Sequence, residues 1–149
     1  MDIEIKQLEK NSLDTYSSIM GLLPQLYDNV FKLTYDDFGD ILKSNYLKIF
    51  IAQSNNRVIA IGTLVSYIKL TGNVGIIEDF IVDEKYRGTG VGSNLLNHVV
   101  NYGFNSGISF IDVNTRREEA SLFYKKNGFL EKGSNRKFYS LRCKHLPRK

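Results

Sequence analysis

The sequence predicts a mixed α/β (α+β) fold, with one central sheet of about seven strands and helices on both faces. Three observations carry this expectation. Three consecutive β-rich runs separated by short turns make an antiparallel meander. A glycine-rich stretch follows at the mouth of a single amphipathic helix. A short apolar run comes directly after that helix, and a strand, a crossover helix and a second strand of this length pair in parallel with a right-handed connection.

Taken in order, residues 3–8 (Ile3-Glu-Ile-Lys-Gln-Leu8) alternate apolar and polar side chains, as a half-buried strand does, and are expected as β1. Ser12 caps an expected helix α1 that carries Leu13, Tyr16, Ile19, Met20 and Leu23 on one face until Pro24 bends or ends it. Thr34, with Asp36 and Asp37 behind it, is a second N-cap ahead of Phe38, Ile41 and Leu42 on α2. Residues 46–53 and 57–68 are β-rich runs, β2 and β3, joined by Asn55-Asn56, a pair that tolerates the positive φ of a hairpin turn. Thr71-Gly72-Asn73 is expected to turn the chain into β4, residues 74–82.

After the glycines, Val91, Leu95, Leu96, Val99, Val100 and Gly103 recur at helical spacing on α3, which ends before Gly107. Residues 108–113 are β5, beside β4. Thr115-Arg-Arg-Glu118 has the form of a capping box for α4, with Ala120, Phe123, Tyr124 and Asn127 on one face and Gly128 closing it. Residues 129–132 and 136–142 complete the expected count as a last hairpin around Gly133-Ser134-Asn135.

At 149 residues, with 42% hydrophobic side chains, nine Tyr and nine Phe, the chain is expected to be one domain over residues 1–149 and not disordered. The one cysteine, Cys143, has no partner for an internal disulfide and no metal ligands at the usual spacing, so no metal and a cytoplasmic location are expected. No apolar run approaches the length of a membrane span, and Met-Asp-Ile-Glu-Ile-Lys reads as a charged strand rather than a signal peptide. The net charge of +4 is concentrated in residues 136–149, where Arg136, Lys137, Arg142, Lys144, Arg148 and Lys149 stand without an acid. A solvated tail is the reading preferred over a nucleic-acid surface, since no base-reading motif accompanies it.

The stretch Asp83 to Ser93 is where chemistry is concentrated. Gly88, Gly90 and Gly92 sit at alternate positions at the start of α3. Glycine allows tight turns and close approach to a ligand, and the free amides of a first helical turn, with the helix dipole behind them, attract a phosphate. Arg87 adds a full positive charge. The loop is not a P-loop, because no lysine follows Gly92, and it breaks the Gly-x-Gly-x-x-Gly spacing of a dinucleotide fingerprint. Arg87-Gly-Thr-Gly90-Val-Gly92 instead matches Arg/Gln-x-x-Gly-x-Gly/Ala, and about thirty residues on Asn114-x5-Ala120-x-x-Phe123-Tyr124-x-x-x-Gly128-Phe129 matches a second pattern. In both respects the chain resembles the GNAT superfamily, the N-acetyltransferases that use acetyl-CoA.

That resemblance implies a GNAT fold with β4 and β5 splayed apart, acetyl-CoA as co-substrate and no metal. It implies that Arg87, Gly88, Thr89, Gly90, Val91, Gly92 and Ser93 hold the pyrophosphate. It further implies that the strand-edge groups of Phe80, Ile81 and Val82 pair with the pantetheine amides, and that the N–H of Ile81 or Val82 polarises the thioester carbonyl. Tyr124 becomes the candidate general acid for the departing thiolate, against the alternative of a core aromatic beside Phe123. Asn114, at the end of β5, becomes a contact to pantetheine or substrate. The region of α1 and α2 would wall the acceptor site. Arg117 departs from the pattern, standing where many relatives carry an asparagine, and Arg116 or Arg117 is offered as a contact to CoA phosphate or to an acidic substrate, against solvation.

For a base, strand alternation puts Ile76, Glu78, Phe80 and Val82 on one face of β4 and Ile77, Asp79 and Ile81 on the other, so only one of the two carboxylates faces the acceptor. Glu78 is the first choice and Asp79 the second, since an alkylammonium must lose its proton before it attacks. His98 and His145 have no nucleophile or metal set in reach, and Cys143 has no motif around it, so direct transfer in a ternary complex is expected. The function expected is acetyl transfer to the primary amine of a small molecule, without membrane or nucleic-acid partners; the oligomeric state is left open, with the edges of the last hairpin offered as a surface that could pair in a homodimer. The alternatives are a CoA-binding sensor or scaffold without turnover, and an acetyltransferase of protein N-termini or lysines.

Overall fold

The computed structural model describes residues 2–28 and 32–132. Its chain forms two units, Met1–Thr115 and Arg116–Lys149. The first holds a five-stranded sheet in the order β1-β2-β3-β4-β5. Strand β1 (Glu4–Gln7) pairs antiparallel with β2 (Leu47–Ser54), β2 with β3 (Arg57–Lys69) and β3 with β4 (Gly72–Val82). Only β5 (Phe110–Val113) runs parallel to its neighbour, after the crossover helix α3 (Val91–Asn105). The meander and the parallel return are as the sequence predicts.

Local chemistry explains the turns and caps. Asn55 and Asn56 take φ of 49° and 62°, the positive values that a two-residue hairpin turn demands. The next turn lies one residue earlier than expected: β3 runs to Lys69 and β4 resumes at Gly72, whose φ of 134° only glycine adopts without strain. Ser12 Oγ accepts the Thr15 amide at 3.2 Å and starts α1 (Leu13–Leu22), which tightens into a 3-10 turn at Leu23–Gln25 around Pro24. Thr34 and Asp37 form a complete capping box on α2 (Tyr35–Leu42), an arrangement whose loss costs a helix about 1 kcal/mol.

The sheet is covered on both faces. One face packs Ile49, Ile51, Ile61 and Ile81 against Ile19, Leu22 and Phe38 from α1 and α2. The other carries Phe50, whose ring meets Tyr102 and His98 of α3 at 5.0 and 5.7 Å, together with Leu64 and Ile77. His98 therefore has a packing role on the helix edge. Leu13, expected on the buried face of α1, is 68% exposed, and Leu22 is buried instead. Leu22 lies three residues beyond Ile19, on the same face of the helix, and joins it in the core.

In the second unit α4 spans Glu118–Lys126. Its N-cap is Arg117, in extended conformation, so Glu118 is the first helical residue and the Thr115 capping box does not form as predicted. The two acids Glu118 and Glu119 thereby sit in the first turn, against the positive end of the helix dipole. Gly128, at φ 92°, closes the helix: its amide bonds Lys125 O and the Phe129 amide bonds Tyr124 O, a Schellman arrangement. Residues 129–132, predicted as a strand, form none, and its partner over residues 136–142 lies outside the described residues, as do Cys143, His145 and the basic tail. A strand exists only in a ladder, so the described sheet has five strands rather than about seven.

Candidate active site

The site is built where β4 stops being a regular strand. Between Ile61↔Ile81 and Thr63↔Glu78 the β3–β4 register shifts, so Gly62 alone stands opposite Asp79 and Phe80. This is a β-bulge, with Asp79 at φ 45° as the extra residue. Its effect is to break the alternation assumed from the sequence. Glu78, Phe80 and Val82 do not share a face. Pairing puts Glu78 with Thr63 and Ile81 with Ile61 on the α1–α2 side, while the Phe80 ring lies over Gly62 on the α3 side beside Leu95. A Cβ on Gly62 would come within 2.7 Å of that ring, so the close approach requires glycine.

Glu78 is exposed on the face that carries α1 and α2, and Asp79 is half-buried at the bulge. Burial holds the Asp79 carboxyl above the ordinary aspartate range, because removing water disfavours the charged form. The carbonyl of Glu78 accepts the Thr63 hydroxyl at 2.6 Å, and Thr63 is 5% exposed.

The β4–β5 pairing ends at Ile77↔Val113 while β4 continues to Val82. Among the described residues no strand pairs with that edge beyond Ile77. The amide of Asp83 donates to Ile59 O on β3 at 2.9 Å, and backbone groups alternate along a strand, so those of Ile81 face β3 and those of Val82 face the opposite edge. There the Val82 carbonyl accepts Arg87 Nε at 3.1 Å. Asn114 is exposed one residue past β5, at the point where the two strands part.

The glycine loop follows directly. Asp83 is 2% exposed; its carboxylate accepts the Lys85 amide at 3.1 Å and lies 3.7 Å from the Arg57 guanidinium. It thus pins the 3-10 turn Glu84–Tyr86 to the start of β3. Gln25, from the turn after α1, accepts the Glu84 amide at 3.0 Å. Thr89 donates its hydroxyl to Tyr86 O at 2.6 Å. Gly88 and Gly90 take φ of 75° and 89°, and Gly90 is the left-handed N-cap of α3. The first helical bond runs from the Asn94 amide to Gly90 O, so the amides of Val91, Gly92 and Ser93 have no acceptor within the helix. With no acid in that first turn, the arrangement fits a bound diphosphate.

The structure thus brings Glu78 to Val82, Arg87 to Ser93 and Asn114 together in the first unit. Tyr124 belongs to the second, where it is buried with Phe123 and Phe129 at ring distances of 5.2 and 5.5 Å. Sequence reasoning missed Thr63, Gly62, Asp83 and Gln25. Only Asp83 left a readable signal, as an aspartate two residues before a lysine amide at the head of a turn. A cavity of about 270 Å³ lies at the far end of α3, between Tyr46, Tyr67, Tyr102 and Ser106, and contains none of the predicted site residues. Among the described residues no group of His, Cys, Asp and Glu is arranged to hold a metal, and no helix is long and apolar enough to cross a membrane.

Residues 15–129 match the model of the Acetyltransferase (GNAT) family. The chain is 26% identical over 128 residues to glucosamine 6-phosphate N-acetyltransferase 1 of Oryza sativa subsp. japonica, covering 80% of this chain and 77% of that protein. Its fold is similar to that of an aminoglycoside acetyltransferase from an uncultured soil metagenomic sample in complex with sisomicin, with TM-score 0.80 and 18% identity over 94% of this chain and 97% of the other. It is also similar to AAC(6')-Iy in complex with the bisubstrate analog CoA-S-monomethyl-acetylneamine, with TM-score 0.76 and 24% identity over 96% and 100% of the two chains.

Proposed function

Because the chain belongs to the Acetyltransferase (GNAT) family, whose members use acetyl-CoA, we propose that it transfers the acetyl group to a primary amine of a small molecule by direct attack in a ternary complex. The observation that carries this reading is the junction of an open β4 edge with the unpaired amides of α3. Arg87, Gly88, Thr89 and Gly90 with the amides of Val91, Gly92 and Ser93 hold the diphosphate of the co-substrate. The β4 edge takes the pantetheine amides as an added strand, with Asn114 beside it.

Of the two amides considered as oxyanion donor, that of Val82 is on this edge, and it polarises the thioester carbonyl. Phe80 and Ile81 serve by placing it, through packing on opposite faces of the sheet. Glu78, on the acceptor side, takes the proton of the alkylammonium directly or through water. Asp79 is the second choice, since a carboxyl whose affinity for protons is raised by burial is also a competent base. Tyr124 returns a proton to the departing thiolate.

A small-molecule acceptor is supported by the relatives, which are named for glucosamine 6-phosphate and aminoglycosides. The same proposal places the enzyme in the cytoplasm as a single domain that binds neither membrane nor nucleic acid.

The test is CoA release, read with a thiol reagent, across a panel of amino sugars, aminoglycosides and polyamines. Turnover of at least one such amine is expected, with Tyr124→Phe lowering kcat about 10²-fold or more at unchanged CoA affinity. Turnover only with peptide substrates would replace the small-molecule reading, and an undiminished Tyr124→Phe enzyme would remove the tyrosine from the mechanism.

A further inference from the structure

We propose that Thr63, on β3, is a positioning residue for acetyl transfer: its hydroxyl holds the Glu78 carbonyl and so fixes the β4 bulge that turns the Val82 amide to the open edge. The inference rests on the function proposed above.

Three features of the first unit converge on the bulge. Gly62 leaves room for the Phe80 ring, which a Cβ would meet at 2.7 Å. Asp79 takes the left-handed conformation of the extra residue, at φ 45°. Thr63 supplies the third, with its oxygen 2.6 Å from the Glu78 carbonyl immediately before the insertion. Thr63 is 5% exposed, in a strand whose buried neighbours Ile61 and Leu64 are aliphatic. A buried hydroxyl there needs an acceptor, and the main-chain oxygen of Glu78 provides it.

The alternative to the bulge is a regular ladder. A slip of one residue moves every side chain beyond it to the opposite face and exchanges the amides that face the partner strand with those that face the edge. In that register Phe80 and Ile81 would trade sides, and Val82 would turn its amide into β3. Thr63 bears on the choice because its hydroxyl holds the carbonyl of Glu78, the last paired residue before the insertion, from which the bulged and regular courses of β4 diverge. Its own side chain need not contact substrate: it acts through the backbone of residues 78–82, which is why no sequence motif contains it.

The experiment uses the full-length chain with Thr63→Val, which keeps the shape and removes the hydroxyl, and Thr63→Ser, which keeps the hydroxyl and removes the methyl group. With an amine that the wild-type enzyme acetylates, Thr63→Val is expected to lower kcat about tenfold or more while KM for acetyl-CoA stays within about twofold, and Thr63→Ser to stay within about threefold of wild type. Amide exchange of Ile81, which needs no substrate, is expected to speed up about tenfold or more in Thr63→Val and to be unchanged in Thr63→Ser.

Failure of wild-type turnover overturns the proposed function and leaves the exchange comparison to judge the bulge. Unchanged exchange and unchanged kcat in Thr63→Val overturn the role of Thr63, as does equal loss in Thr63→Val and Thr63→Ser. If neither Thr63→Val nor Thr63→Ala folds, the hydroxyl serves stability alone and the proposal is overturned as well.

Discussion

Strand β4 contains two different structures. From Gly72 to Ile77 it is paired on both sides, with β3 antiparallel and β5 parallel. From Glu78 to Val82 it keeps β3, loses β5 and acquires the Asp79 bulge. The first half anchors and the second half is available. A strand that is fully hydrogen-bonded can offer a ligand only its side chains. One released from a neighbour offers main-chain donors and acceptors in a fixed, repeating geometry. The catalytic region therefore lies where regular structure ends, held in place by the regular structure that precedes it.

The comparison is broken most severely at the loop that β4 feeds. Gly90→Val is expected to have the largest effect on binding, because a β-branched residue at φ 89° costs at least about 1–2 kcal/mol and cannot keep the turn that aims the α3 amides. Affinity for CoA, measured by calorimetry, should fall more than tenfold. Among the described residues nothing beyond the adjoining chain lies within 4 Å of the added Cβ, so the damage is conformational rather than steric, and the sheet should stay folded. Wild-type affinity in this variant would mean that the loop does not hold the diphosphate.

A paired substitution sharpens the contrast between the two halves. Gly62→Ala, opposite the bulge, places a methyl group 2.7 Å from the Phe80 ring, so close that the ring or the strand has to shift. Gly75→Ala, in the regular half, meets the buried side chains of Leu64 and Ile108 at the longer distances of 3.0 and 3.2 Å. Gly62→Ala should cost about 1–3 kcal/mol in urea denaturation and Gly75→Ala less, with loss of turnover confined to Gly62→Ala. Equal effects on turnover would show that the bulge has no privileged role.

These two halves were not equally legible in the sequence. The regular half was readable because Ile76 and Ile77 follow a clear turn and the crossover after them restricts the pairing. The glycine loop was readable because its function needs particular backbone angles, and only glycine supplies Gly88 and Gly90 with theirs. The bulge was not. Alternation reveals register when apolar and polar side chains divide between the faces, but Phe80, Ile81 and Val82 are apolar whichever way each points. The side chains that stabilise the bulge, Gly62 and Thr63, lie on another strand, and their relation to Asp79 exists only after pairing. Gln25 was missed for the same reason, since the Glu84 amide reaches it through tertiary structure, as Arg57 reaches the Asp83 carboxylate. The Thr115 capping box failed in the opposite sense, as a local pattern that the extended backbone of Arg117 overrides.

The smallest expected effect is the most specific to the bulged half. Burial holds the folded-state pKa of Asp79 above its unfolded value, so the folded chain retains a proton over a window of pH where the unfolded chain has lost it. Lowering the pH through that window stabilises the fold, and raising it through the folded pKa removes the contribution and leaves an ionised carboxylate in a site short of water. Asp79→Asn keeps the shape and also tolerates φ 45°, but carries no charge at any pH. The variant should be more stable than wild type at neutral pH, and the gap should close as pH falls toward the ordinary aspartate value, when both side chains are neutral. Urea denaturation at several pH values measures this directly. A gap independent of pH would assign the difference to backbone strain, and one that widened in acid would mean that the carboxylate is stabilised at the bulge rather than tolerated there.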